Sequence, residues 1–147
     1  MLCQQVESLL EGVNNPTGQL ANAAAVIHET MGFWWTGFYL VNDNALQLGP
    51  FQGPVACYSI KRGRGVCGTA WDKNETLVVR DVEQFPGHIA CSSLSRSEIV
   101  VPLRNGKREV IGVLDIDSKE IGTFDDVDAH WLEQIALVIE KHVFNNQ

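Results

Sequence analysis

Two apolar runs, "EIVVPL" (98–103) and "REVIGVLDID" (108–117), are joined by "RNGK", and Asn105-Gly106 within that join is the strongest short hairpin signal in the chain. An antiparallel pair is therefore expected here. The other segments fall into place around it. Leu2, Val6, Leu9 and Leu10 recur at helical spacing, "NNPT" breaks the pattern, and "GQLANAAAVIHETMG" resumes it until Gly32, which predicts two N-terminal helices. "FWWTGFYLV" (33–41) and "DNALQLGPFQG" read as a hairpin across an Asn-Asp-Asn turn, "PVACYSI" (54–60) as a further strand, "VCGTAWDK" as a short helix and "TLVVRD" as another strand. At the C-terminal end Val127, Trp131, Ile135, Val138 and Ile139 mark an amphipathic helix, with Asp125 and Asp126 at its start and Lys141 and His142 near its end, as the helix dipole prefers. The order is helices, a run of mostly hairpin-connected strands, then a closing helix. That order is α+β, with helices packed on an antiparallel sheet.

At 147 residues, without repeats, linker or low-complexity tract, the chain is expected to form one domain spanning 1–147. Its 18 acidic residues outnumber 11 basic ones, for a formal charge of −7, and "KRGRG" (61–65) is the only basic knot. A nucleic-acid or anionic-membrane partner is not expected, because such affinity rests on clustered Lys and Arg. No apolar run approaches the ~20 residues that span a bilayer, and "MLCQQVESLLEGV" lacks the pattern of a secretory signal. The expected location is the cytoplasm. In a reducing compartment the cysteines at 3, 57, 67 and 91 read as core filler, metal ligands or redox groups rather than permanent disulfides.

Strand alternation places Val110, Gly112, Leu114 and Ile116 on one face and Ile111, Val113, Asp115 and Asp117 on the other. Two carboxylates thus project together. Glu98 enters the neighbouring strand, and if all three face one hollow, like charge and desolvation should raise at least one carboxyl pKa, leaving an acid able to donate a proton near neutrality. A solvent-frayed strand end is the plainer reading of "DxD". Cys91 lies in a long aperiodic loop, "VEQFPGHIACSSLSR" (82–96), among serines that bury nothing, so core filler suits it poorly. Core filler does suit Cys3 and is a fair reading of Cys57. No C-x2-C pair exists and His88 with Cys91 gives only an isolated H-x2-C, so no metal is expected. Trp34 and Trp35, as strand neighbours, are expected on opposite sides, one of them free to wall an apolar pocket able to hold a methyl or a sulfur. The glycines of "GRGVCG" read as turn formers, since the phosphate-loop spacing is missing.

Together, "WWTGFYL", "LGPFQGPVACYSI", "GRGVCGTAW", "FPGHIACSSLSRSEIVVPL" and "GVLDIDS" resemble the free methionine-(R)-sulfoxide reductases, a family of stand-alone GAF domains. The similarity covers about residues 33 to 145 and brings three cysteines and three carboxylates into register together. It implies a central antiparallel sheet with N- and C-terminal helices on one face and a loop-covered ligand pocket on the other. It implies further that Cys91 attacks the sulfoxide, that Cys57 resolves the oxidised product, and that Cys67 is a third redox cysteine without an assigned part. Glu98, Asp115 and Asp117 match the pocket carboxylates, and Trp35 the aromatic wall around the substrate methyl. No bound cofactor is implied, the external reductant would be a dithiol such as thioredoxin, and a homodimer is a weak expectation from the terminal helices. Acidic neighbours should hold Cys91 as thiol, with His88 and Arg96 as candidate helpers. The rival reading is a sensory GAF module that binds a small molecule without turning it over.

Overall fold

The computed structural model describes residues 1–88 and 94–145. Two helices lead, α1 (Leu2–Leu10) and α2 (Pro16–Met31). Pro16 takes the first helical position, where its missing N–H is no loss, and Asn15 caps the end by accepting from the Gly18 N–H. At the other end Gly32 closes the helix in the left-handed region, φ 69°, a conformation that costs glycine little. The strands β1 (Trp35–Asn42), β2 (Ala45–Gln52) and β3 (Ser59–Lys61) follow, then α3 (Gly65–Lys73) and β4 (Leu77–Val79). After a single 3-10 turn at Val82–Gln84 come β5 (Ser97–Arg104), β6 (Val110–Ser118) and α4 (Asp126–Ile139), which runs on as a π-helical turn over Glu140–Phe144. Asp125 and Asp128 form a reciprocal capping box at the start of α4, each accepting from the other's end of the first turn.

The six strands form one antiparallel sheet in the order β3-β2-β1-β6-β5-β4. Its two central strands, β1 and β6, are covered on both sides. On one face α1, α2 and α4 bury Val6, Leu20, Ile27, Leu132, Ile135 and Ile139 against Phe38, Ile99, Leu114 and Ile116. The other face carries a smaller core of Trp35, Tyr39, Leu46, Val66, Trp71, Val100 and Val113, closed by α3 and the connections around it. The expected α+β, GAF-like arrangement is what the chain adopts.

Several local expectations are corrected. Residues 54–58 are outside any strand, and only Ser59–Lys61 pair, because carbonyls of this segment are engaged by side chains from the sheet below: Trp35 Nε1 donates to Pro54 O and Tyr39 Oη to Cys57 O, both at 3.0 Å. Trp34 precedes the first paired residue of β1, so strand alternation does not govern it, and both tryptophans lie on the same side. The β5–β6 register shifts between Leu103 and Arg104: Leu103 faces Gly112 and Arg104 faces Val110, leaving Ile111 as the extra residue. That bulge turns Ile111 to the helix-covered core and Val110 to the other, the reverse of strict alternation. The hairpin itself is present, but its turn is built by the Asn105 side chain, which accepts from the Lys107 and Glu109 N–H groups, with Arg108 in the left-handed region at φ 65°. On α4 the buried stripe is Leu132, Ile135, Ala136 and Ile139, while Val127 and Trp131 are exposed. Ile135 and Ile139 belong to both stripes. The small Ala136 lets the helix settle one position round from the row drawn through its bulkiest residues.

Candidate active site

The site begins with pairing register. Trp35 on β1 faces Asp117 on β6, Asp117 faces Glu98 on β5, and Glu98 faces Val79 on β4. One row further in, Gly37 faces Asp115, which faces Val100. Because alternate residues share a face, Glu98, Asp115 and Asp117 all rise from the same side of the sheet. They enter one cavity, whose lining among the described residues also includes Trp34, Trp35, Tyr39, Cys67 and His88. Glu98 is 7% exposed and Asp115 4%, so the cluster is interior rather than a frayed strand end.

Cys67 reaches the cluster from above. The turn at Gly63 and Gly65, both at positive φ, starts α3 over the sheet, and the first turn of that helix directs the thiol downward. Cys67 Sγ lies 3.8 Å from Glu98 Oε2, within reach of a weak hydrogen bond from thiol to carboxyl oxygen. Burial pushes the Cys67 thiol well above its ordinary pKa, and the charges of Asp115, Glu98 and Asp117 push it further the same way. It is a thiol, not a thiolate.

The carboxyls shift in the same direction. Burial raises Glu98 well above the usual range, with Asp115 and Asp117 adding to it; burial and then the Asp115 charge do the same to Asp117. Asp115 is raised by burial too, but hydrogen bonds from Glu98 and Cys67 oppose the shift. The three sites titrate as one group. All three are pushed towards the protonated form, Glu98 and Asp117 well above the usual range, while the hydrogen bonds at Asp115 favour its charge. Two buried polar atoms of the lining, Asp115 Oδ1 and Ser95 Oγ, have no hydrogen-bond partner among the described residues. Such atoms are uncommon in folded interiors and mark a place where a polar ligand completes the bonding.

The aromatic wall is built by stacking. Trp35 lies 5.3 Å from Phe51 and 6.0 Å from Tyr39, ring centre to ring centre, with interplanar angles of 17° and 25°. A Cβ on Gly37 would meet Phe51 Cβ and would come within 2.6 Å of the Trp35 ring, so glycine there is what lets the indole lie flat along the strand. Tyr39, Ser95 and Arg64 line the cavity without having been singled out from sequence. For Tyr39 the signal was present, since it lies four residues along the strand from Trp35 and so shares its face.

Of the sequence candidates, Trp35, Cys67, Glu98, Asp115 and Asp117 are thus brought together. Cys57 is disulfide-bonded, whereas Cys3 and Cys67 are free, Cys3 being packed against the helix-covered core. Cys91 lies outside the described residues. The base of its loop is nonetheless fixed beside the site, because the Val82 N–H donates to Arg96 O and the Arg96 N–H to Ser118 O, each at 2.8 Å. His88 lines the cavity, and burial lowers its pKa despite the opposing charge of Glu83. Arg96 approaches Glu83 at 3.8 Å on the protein surface. Cys67, Glu98 and Asp115 each offer an atom within 4.8 Å of the other two, the one such trio of potential metal ligands among the described residues.

Comparison with known proteins agrees with this geometry. The GAF domain family matches residues 15–143. The GAF domain-containing protein A of Dictyostelium discoideum is 54% identical over 141 residues, covering 95% of this chain and 89% of that protein. A free methionine-R-sulfoxide reductase of Escherichia coli is 46% identical over 141 residues, covering 95% and 85%. The chain belongs to the free methionine-(R)-sulfoxide reductase family. It is an enzyme of that oxidoreductase family. A free methionine-R-sulfoxide reductase from Neisseria meningitidis, solved in complex with its substrate, superposes with a TM-score of 0.94 at 51% identity, over 97% of this chain and 86% of that one. Reductases of this family share the GAF fold with much more distant domains, such as one from an Acinetobacter phosphotransferase at 14% identity and a TM-score of 0.86, where the likeness is of fold alone.

Proposed function

We propose that this protein reduces free methionine (R)-sulfoxide to methionine, with Cys91 as nucleophile, Glu98 as general acid, Cys57 as resolving thiol and a dithiol protein of the thioredoxin type as reductant. The observation that carries this reading is the convergence of Glu98, Asp115 and Asp117 under the Trp35 wall, at the base of the loop that bears Cys91. Sulfoxide reduction needs that combination. A thiolate attacks sulfur while the oxygen accepts a proton, since oxide is otherwise an impossible leaving group. A carboxyl held protonated by burial is the proton source, and Glu98, raised well above the usual range and 7% exposed, is such a group on the strand that follows the Cys91 loop.

The first half-reaction converts the Cys91 thiol and the sulfoxide into a sulfenic acid and methionine, the oxygen passing from substrate to enzyme. Attack by the Cys57 thiol on the sulfenic sulfur then forms a disulfide and releases water. External dithiol exchange restores both thiols. That Cys57 is engaged in a disulfide while Cys67 is free favours Cys57 over Cys67 in the resolving role.

The polar end of a free amino acid suits the same cavity. Its α-ammonium, absent from a peptide-bound residue, supplies a donor for Asp115 Oδ1, a buried acceptor with no partner among the described residues. The apolar methyl lies against Trp35, where sulfur and methyl contacts with an indole contribute about 0.3–1.5 kcal/mol.

The test is thioredoxin-coupled NADPH consumption on addition of free methionine (R)-sulfoxide, compared with N-acetylmethionine sulfoxide and with Cys91→Ser. Turnover of the free compound alone, abolished in Cys91→Ser, supports the reading. A wild-type enzyme silent towards it under reducing, metal-free conditions would return the chain to the sensory alternative.

A further inference from the structure

The cluster of Cys67, Glu98 and Asp115 assembles three metal-ligating atoms from three separate elements, α3, β5 and β6, in a region with no basic side chain in hydrogen-bonding contact with them among the described residues. We propose that these three side chains form a binding site for a borderline divalent cation of the Zn2+ type. Occupation of that site and entry of a sulfoxide into the same cavity exclude one another, and only this consequence rests on the reductase reading above.

Distance supports the site. A tetrahedral ion with a metal–sulfur bond of about 2.3 Å and metal–oxygen bonds of about 2.0–2.2 Å separates sulfur from oxygen by about 3.5–3.7 Å. Cys67 Sγ and Glu98 Oε2 stand 3.8 Å apart. All three candidate atoms fall within 4.8 Å of one another, so closure around an ion asks for side-chain adjustment of about an ångström and no movement of the strands. A second observation is independent of that spacing: Asp115, 4% exposed and part of the cavity lining, carries a buried oxygen, Oδ1, that has no hydrogen-bond partner among the described residues. Both findings point to the same occupant, a compact cation that accepts a buried carboxylate oxygen.

Donor chemistry selects the class of ion. One thiolate with two carboxylates suits zinc, and it does not suit magnesium or calcium, which take six or more oxygen ligands. Cys67 binds as thiolate and Glu98 as carboxylate, each releasing its proton to solvent as the ion enters, and three protein ligands leave a fourth position for water. The site escapes a search for closely spaced cysteines and histidines because no two of its ligands are neighbours along the chain.

Cobalt(II) is the probe, added to the form in which Cys57 is disulfide-bonded, so that Cys57 is not a competing thiol and turnover is not the readout. A one-to-one thiolate-to-cobalt charge-transfer band is expected, retained in Cys3→Ser, lost in Cys67→Ser and weakened at least about tenfold in affinity in Asp115→Asn. Zinc should displace cobalt and raise the melting temperature of the wild type but not of Cys67→Ser, whose fold is checked by circular dichroism. Absence of the band, or a band that persists in Cys67→Ser, overturns the site. Displacement of cobalt by added methionine supports mutual exclusion; a band that methionine leaves untouched keeps the metal site and counts against the substrate placement instead.

Discussion

Asp117 stands directly opposite Trp35 on one side and directly opposite Glu98 on the other, so the aromatic wall and two of the three carboxyls form a single row across β1, β6 and β5. Cross-strand partners of this kind have Cβ atoms about 4.5–5.5 Å apart. The chemistry of the cavity is therefore set by strand register, and each member of the row can be tested through its neighbours.

Glu98→Gln keeps the shape of the side chain and removes its acidic proton. A loss of about 10²- to 10⁴-fold in kcat is expected, the usual contribution of a positioned acid. Melting temperature should change little, because burial already disfavours the charged form of the carboxyl that the amide replaces. Steady-state kinetics and a thermal melt on the same sample separate the two. A variant with undiminished kcat would remove Glu98 from the role of proton donor.

Stability should fall as pH rises. Glu98, Asp115 and Asp117 have folded-state pKa values above those of the unfolded chain, so between the two ranges the folded protein binds more protons and the slope of unfolding free energy with pH is negative. The contribution is full below the ordinary carboxyl range, about pH 4, and is lost as pH climbs through the raised values. Glu7 and His88 are shifted down and act in the opposite sense at and below the ordinary histidine value of 6.5. Urea titrations of wild type and Asp117→Asn in chelator-containing, substrate-free buffer cancel those terms by difference. The wild-type decline should be steeper, and parallel curves would contradict the assigned shifts.

Cys67 should resist alkylation at neutral pH. It is 3% exposed and its thiol is held protonated by burial and by three acidic neighbours, whereas Cys3 is only half buried. Peptide mapping after brief iodoacetamide treatment should find Cys3 modified well ahead of Cys67, with the gap closing in denaturant. Asp115→Asn should speed the reaction at Cys67.

Gly37→Ala should weaken substrate binding without touching a charged group. The added methyl collides with Phe51 Cβ and with the Trp35 ring, and overpacking of this sort costs typically about 1–3 kcal/mol. With the indole displaced, KM should rise more than kcat falls. Equal KM values for variant and wild type would show that the flat indole is not what holds the methyl.

How much of this was legible beforehand divides along physical lines. The paired face of Asp115 and Asp117, with Glu98 on the next strand, followed from period-two alternation, which holds wherever the ladder is regular. It failed at Ile111, where one extra residue reverses the faces, and bulges leave little mark in a single sequence. It failed again at Trp34, which looks like strand by composition but lies outside the ladder. Cys67 was visible as a cysteine at a helix start, yet its approach to Glu98 depends on how α3 crosses the sheet, a tertiary fact that local spacing does not encode. On α4 the eye followed Val127 and Trp131 because they are large, whereas burial chose the stripe through Ala136, which allows closer packing.

Besides the Cys57 disulfide, the cover over the cavity at residues 54–58 is fastened through its main chain: the indole of Trp35 holds one carbonyl and the phenol of Tyr39 another. Of its own side chains, that of Tyr58 is 83% exposed, lies outside the cavity lining and does none of the fastening. Substitutions there leave the roof where it is. The same two aromatics that shape the floor thus free a patch of surface directly above the reaction to diversify, so the protein can acquire new outward contacts at its mouth while the chamber beneath stays as it was.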